Sequence, residues 1–190
     1  MQGKKLQLPT IQWPLRIIDF EASSLEDGGY PIEVGVAVWP APEEPIQVWS
    51  ALIRPTQAWT DFGHWSELSQ EVHGIDPAEL ATAEPPMAIA RTPNTLIGSG
   101  QVWCDGGPFD AYWMDALFDA AGIKPSFTLH SWDGLLRELG DEVSEGIRDK
   151  LEHAEVRHRA GEDAAADGGA CGWGEAWGAD RHGATDLDSK

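Results

Sequence analysis

The stretch Pro14-Leu15-Arg16-Ile17-Ile18-Asp19-Phe20-Glu21 reads as a β-strand that carries two carboxylates two residues apart. Side chains at positions i and i+2 of a strand share a face, so Asp19 and Glu21 stand about 6.6 Å apart on one side of a sheet. Two acids so placed repel each other, and a cation or a retained proton must relieve the repulsion. The pair therefore points to a divalent metal site built on the first strand.

Working outward, Ile32, Val34, Val36 and Val38 alternate with Glu33, Gly35 and Ala37, which predicts a second strand over 32–39. A third strand is expected over 46–53. Asp27-Gly28-Gly29 and the proline-rich run from Pro40 to Pro45 break the chain between these strands, as hairpin connections do. Asp76-Pro77-Ala78-Glu79 is a helix start, with an acidic cap, proline at the first position and glutamate at the third. Next come a buried strand over 101–104, a helix over 108–121 stopped by Gly122, and a strand over 127–130. Ser131 caps a helix over 132–139, and a further helix is expected over 142–153. Strands first and crossover helices later predict an α/β domain with helices against a mixed central sheet.

A chain of 190 residues with ten Trp and 42% hydrophobic content buries one core, placed here over 1–167. Residues 168–190, glycine-rich, acidic and poor in aliphatic side chains, are expected to form a flexible tail. The start lacks the apolar stretch of a signal peptide, and no run approaches the roughly 18 apolar residues of a membrane helix. Cys104 and Cys171 form no metal-binding pattern, so a cytoplasmic protein with reduced thiols and no membrane partner is expected. The net charge of -19 opposes tight, nonspecific binding to duplex nucleic acid. It does not oppose an enzyme that takes a strand end into a cation-lined pocket, because bound divalent ions reverse the local sign of a carboxylate cluster. Acidity that serves only solubility is the plainer alternative.

Asp110 falls in the first turn of the 108–121 helix, where the dipole favours an ionised carboxylate beside Asp19 and Glu21. The later segment His158-Arg159-Ala160-Gly161-Glu162-Asp163 holds two more candidates. On one continuous helix, five residues turn the chain by about 500° and leave His158 and Asp163 roughly 140° apart. They converge only if His158 lies on a loop before the helix and Asp163 on its first turns, a change of direction that Gly161 assists.

The ordered set Asp19-Phe20-Glu21, Phe109-Asp110 and His158 through Asp163 resembles the DEDDh family of 3'-to-5' exonucleases, which includes proofreading subunits and oligoribonucleases. The resemblance spans about residues 14–167 and implies a ribonuclease H-like fold. It also implies that Asp19, Glu21, Asp110 and Asp163 hold two Mg²⁺ or Mn²⁺ ions and that His158 is the general base. The implied substrate is the 3' end of single-stranded DNA or RNA, and the implied product a nucleoside 5'-monophosphate. Leu25 matches the family position that packs beside the terminal base, and the backbone near Ala22 and Ser23 is expected to approach the 3' hydroxyl. A noncatalytic nucleic-acid-binding module on the same fold is the second reading, and an acidic protein binding cations for structure alone the third.

The chain also departs from the family. Asp19-Phe20-Glu21-Ala22-Ser23-Ser24-Leu25 lacks the glycine and both threonines of the D-x-E-T-T-G-L pattern. Asp105-Gly106-Gly107-Pro108-Phe109-Asp110 replaces the usual His-Asn-Ala-x-Phe-Asp, and Asp105 is expected to cap the helix in preference to assisting a metal. Small residues after Asp163 predict a short last helix. Trp59 and Trp65 are expected to pack rather than stack on bases. Arg157 and Arg159 either meet phosphates or stay solvated. His73 either orders its loop or touches substrate.

Overall fold

The computed structural model describes residues 12–41, 44–152 and 158–170. The strands are β1 (Leu15–Ala22), β2 (Pro31–Trp39), β3 (Gln47–Leu52), β4 (Gln101–Cys104) and β5 (Thr128–Ser131). They form one sheet in the order β3-β2-β1-β4-β5. β1 to β3 make an antiparallel meander, joined as expected by the breaks at Asp27 and Pro40. β4 then lies parallel to β1, and β5 parallel to β4, so the far half of the sheet needs crossover connections.

The first crossover holds five short helices, α1 (Gln57–Phe62), α2 (Glu67–His73), α3 (Pro77–Leu80), α4 (Pro86–Ile89) and α5 (Arg91–Ile97). The second is α6 (Pro108–Ala121), and β5 is followed by α7 (Trp132–Leu139), α8 (Asp141–Glu152) and α9 (Ala160–Ala170). Asp76 and Glu79 form the expected capping box of α3. Gly122, in the left-handed conformation, ends α6, and Ser131 caps α7.

The alternation of β1 decides what lies on each face. Ile18 and Phe20, with Val34 and Val36 of β2, pack against Trp113, Met114, Leu117 and Phe118 of α6. Leu15 and Ile17, with Ala37 and Trp39, pack on the other face against Leu135, Leu136 and Leu139 of α7, Ile147 of α8 and Ala164 of α9. Asp19 and Glu21 continue the Leu15–Ile17 row and so emerge on the α9 side, at the end of β1. A smaller cluster of Tyr30, Ile32, Ile75 and Leu80 closes that end of the sheet.

The last helix is neither short nor loosely set. It runs 11 residues, past the expected domain end at 167, and packs across β1, β2 and β3. Its small residues are what permit this approach. A methyl group at Gly35 of β2 would collide with the carbonyl of Ala160, and one at Gly161 would come 2.7 Å from Ser50 Cβ. The obstacles at Gly35, the Ala160 carbonyl carbon and oxygen and the Gly161 nitrogen, are backbone atoms, which cannot swing aside as a rotamer can. Gly35→Ala is therefore expected at the upper end of overpacking costs, about 3 kcal/mol. A thermal melt should record that as a Tm lower by roughly 6–12 °C, and a Tm unchanged within error would refute the close packing. Of the expected tail over 168–190, residues 168–170 belong to α9, and 171–190, with Cys171, lie outside the described residues, as does Arg157. No described helix is long and apolar enough to cross a membrane.

Candidate active site

A cleft of about 570 Å³ opens where β1 ends, between α2, the start of α6 and the start of α9. Asp19, Glu21, Asp105, Asp110, His158 and Asp163 all line it. Each arrives by its own local rule. Asp19 and Glu21 come from strand alternation. Asp110 comes from the first turn of α6, where it is 1% exposed and accepts a hydrogen bond from the Gly106 N–H at 3.0 Å. His158 precedes α9 in a left-handed conformation, with φ of 50°, so loop and helix present His158 and Asp163 to one space. Within α9, Asp163 reaches back to accept the Arg159 N–H at 3.2 Å.

The carboxylates fall into two overlapping sets. Asp19, Asp105 and Asp110 form one, and Asp19, Glu21 and Asp163 the other; within each set the ligand oxygens lie within 4.8 Å of one another. Asp105 is thus the acid that the motif comparison placed elsewhere. It does not cap α6, whose cap position is Gly107 and has no side-chain hydrogen bond. The visible signal was its spacing, five residues before Asp110 across a glycine pair that lets the loop fold back on the strand end.

Crowding and burial decide the protonation of these groups in the absence of a cation. Burial, reinforced by Asp110 and Glu21, holds the Asp19 carboxyl well above the usual carboxylate range. Burial and then Asp163 and Glu33 push Glu21 up to about 8, with Arg159 opposing. Burial and then Asp105 push Asp110 up to about 7, against hydrogen bonds from Cys104, Gly106 and Phe20. All donors are hard oxygens, the chemistry that suits Mg²⁺ or Mn²⁺, and a divalent ion would remove the penalty that now favours protons.

The linkage has a definite sign. An acid whose pKa is higher in the folded than in the unfolded chain holds extra protons when folded, so stability falls as pH rises between the two values. For Glu21 that window runs from 4.5 to about 8, and for Asp110 from 3.8 to about 7. In chelator, the Tm is expected to fall from pH 5 to pH 8, and added Mn²⁺ should raise it more at pH 8 than at pH 5. A Tm in chelator that stays level or climbs over this range would contradict the crowded-acid account.

Apolar side chains form the walls. Leu25 is 64% exposed, Leu68 74% and Val72 54%, and Phe109, 47% exposed, stacks on Trp113 with ring centroids 5.7 Å apart. Ala22 also borders the cleft. Ser23, expected beside a 3' hydroxyl, is fully buried and committed to its own loop. Its hydroxyl donates to the His64 carbonyl and accepts the Tyr30 N–H, while its N–H donates to the Tyr30 carbonyl and its carbonyl accepts the Ser66 N–H.

The remaining candidates separate as clearly. His73 is buried and accepts the Ile75 N–H on Nδ1 at 3.0 Å, so it orders the turn after α2 while bordering the cleft. Burial lowers its pKa, which keeps the ring neutral. Trp59 stacks on Tyr30, and Trp65 donates to Gln70, so both pack as expected. Arg159 is not a free phosphate contact: its partly exposed guanidinium forks onto the buried Glu33.

No protein-family model matches the chain, and no curated protein matches it by sequence. Solved structures do match. A full-length 3'-exonuclease superposes with a TM-score of 0.65 over 92% of this chain at 13% identity, and the chain spans 64% of that structure's length. A 3'-exonuclease from a study of 3'-end specific recognition of a histone mRNA stem-loop gives 0.61 over 83% of this chain and 79% of its own, at 15% identity. The RNase domain of the yeast Pop2 protein gives 0.54 over 87% of this chain and 78% of its own, at 11% identity. At such identities the likeness is one of fold. The mixed sheet ordered β3-β2-β1-β4-β5, with helices on both faces, is the ribonuclease H-like fold of these 3'-exonucleases.

Proposed function

We propose that this protein is a divalent-metal-dependent 3'-to-5' exonuclease of the DEDDh type that removes nucleoside 5'-monophosphates from single-stranded ends. One observation carries the reading: Asp19 belongs to both carboxylate sets, and the exposed imidazole of His158 borders the same cleft without belonging to either. A purely structural cation site has no use for a base beside its ligands.

Asp19, Glu21, Asp110 and Asp163 are the residues that would hold two Mg²⁺ or Mn²⁺ ions, with Asp105 as a fifth acid of the Asp110 set. Such ions, when bound, lower the pKa of a ligated water and neutralise charge on the phosphate and its departing oxygen. His158 accepts the proton of the attacking water. The water's oxygen bonds to phosphorus as the bond from phosphorus to the penultimate 3' oxygen breaks, and that oxygen takes a proton from solvent, leaving a strand with a new 3' hydroxyl and a free 5'-mononucleotide. Leu25, Leu68, Val72 and Phe109 offer apolar surface to the terminal bases, so grip on the end does not depend on basic side chains. That suits a chain whose net charge of -19 repels nucleic acid at long range.

The test is digestion of 5'-labelled single-stranded DNA and RNA in parallel. Stepwise shortening from the 3' end with Mg²⁺ or Mn²⁺, release of 5'-mononucleotides and silence in chelator are expected. Cutting of a circular strand would sink the exonuclease reading. Metal-dependent binding without hydrolysis would install the noncatalytic binding module in its place.

A further inference from the structure

We infer that Glu33 is a positioning residue, which clamps the loop bearing His158 and the first turn of α9 against the sheet directly across from Glu21. The inference rests on the exonuclease reading for the roles of His158 and Asp163, and on geometry alone for the clamp.

Glu33 lies on β2 opposite Glu21 of β1, and its side chain is 3% exposed. Two like charges directly opposite in a sheet destabilise it, and a buried carboxylate without partners is costlier still. Among the described residues, the side-chain hydrogen bonds of Glu33 come from Arg159, in the loop before α9, and from Ala160, which opens that helix. Arg159 Nε donates to Oε2 at 3.0 Å and Nη2 to Oε1 at 2.9 Å, a bidentate fork. The Ala160 N–H donates to Oε2 at 3.1 Å. Ala160 opens α9, where the first N–H groups have no partner within the helix. Glu33 thus caps α9 from another strand, while Asp163 takes the N–H of Arg159.

The consequence reaches the two neighbouring functional groups. His158 immediately precedes the forked Arg159 and holds φ at 50°, a conformation a non-glycine residue keeps only when its surroundings impose it. Asp163 lies one turn beyond Ala160. Gly35, next but one to Glu33 on the same face, admits the Ala160 carbonyl, so steric fit and hydrogen bonding fix the same point. Glu33 itself belongs to neither carboxylate set, and its oxygens are engaged by Arg159 and Ala160. It acts through the loop rather than on substrate.

The informative substitution is Glu33→Gln, which keeps the shape and lets the 43% exposed Arg159 side chain rehydrate. Three measurements are made: amide exchange at Ala160, Mn²⁺ affinity without substrate, and steady-state kinetics on a single-stranded oligonucleotide. Faster exchange at Ala160, a roughly 10–100-fold loss of Mn²⁺ affinity and a similar loss of kcat at saturating metal, with KM little changed, are expected of groups that orient ligands. Arg159→Lys should shift all three in the same direction but less, because lysine keeps the charge and loses the fork. Faster Ala160 exchange with unaltered Mn²⁺ affinity and kcat would overturn the inference and leave the pair merely structural. If Glu33→Gln does not fold, Arg159→Lys decides alone, and wild-type Mn²⁺ affinity in that variant overturns it. A wild-type protein that hydrolyses no strand end would defeat the exonuclease reading, while the exchange and Mn²⁺ measurements would still decide the clamp.

Discussion

Asp19→Asn is expected to lower turnover by roughly 10³-fold or more, since the charge stabilisation supplied by bound metal is worth several kcal/mol. Asp19 is the acid common to the Asp105–Asp110 set and the Glu21–Asp163 set. One amide therefore weakens both cation positions, because a neutral oxygen is a poor ligand for a hard ion. Asp105→Asn and Asp163→Asn each touch one set and should weaken one class of Mn²⁺ site in a titration followed by electron paramagnetic resonance. Stability should move the other way. Burial and acidic neighbours raise the Asp19 pKa, so ionising this carboxyl as pH climbs costs stability that an uncharged amide does not incur. In chelator at pH 8 the Asn variant should melt above wild type while being far less active. Turnover above a tenth of wild type in saturating Mn²⁺ would show that Asp19 does not serve both positions.

Much of this arrangement is legible in the sequence because it depends on short-range rules. The alternation around Val34 and Val36 identifies β2, and the i, i+2 spacing in β1 puts Asp19 and Glu21 on one face. The impossibility of His158 and Asp163 converging from a single helix predicts the loop before α9, and the structure has that loop. The short helices between β3 and β4 were not legible beyond α3. They run four to seven residues, too few turns for an apolar period to emerge, and α5 carries Pro93 near its start. The length of α9 is hidden in the sequence because the residues after Asp163 offer no large apolar side chains to anchor a helix, whereas the helix is held by close backbone approach, with Gly35 admitting Ala160 and Gly161 admitting Ser50. The partnership of Glu33 with Arg159 crosses 126 residues, and nothing in local pattern encodes such a pairing. Asp105 reads locally as a cap, since capping is the commoner use of an acid just before a helix, and only the folded loop brings it beside Asp19 and Asp110.

His158→Ala is expected to cost about 10²–10⁴-fold in kcat, the usual worth of a positioned general base. His158 belongs to neither carboxylate set, so Mn²⁺ affinity should stay near wild type, the reverse of the outcome for Asp163→Asn. The backbone introduces a complication that a second variant resolves. His158 holds a positive φ, which alanine tolerates poorly, so a loss in the alanine variant alone could come from a displaced loop. Asparagine adopts that conformation more readily and supplies no base near neutral pH. His158→Asn should therefore lose as much kcat as His158→Ala while keeping the Ala160 amide protected from exchange. Free imidazole should restore part of the turnover in the alanine variant, because the cleft opens to solvent at the vacated position and a small base can enter it. Full activity in both variants would remove His158 from the chemistry and leave a site that works by its carboxylates and cations alone. Loss of Mn²⁺ affinity in both would make it a ligand instead of a base.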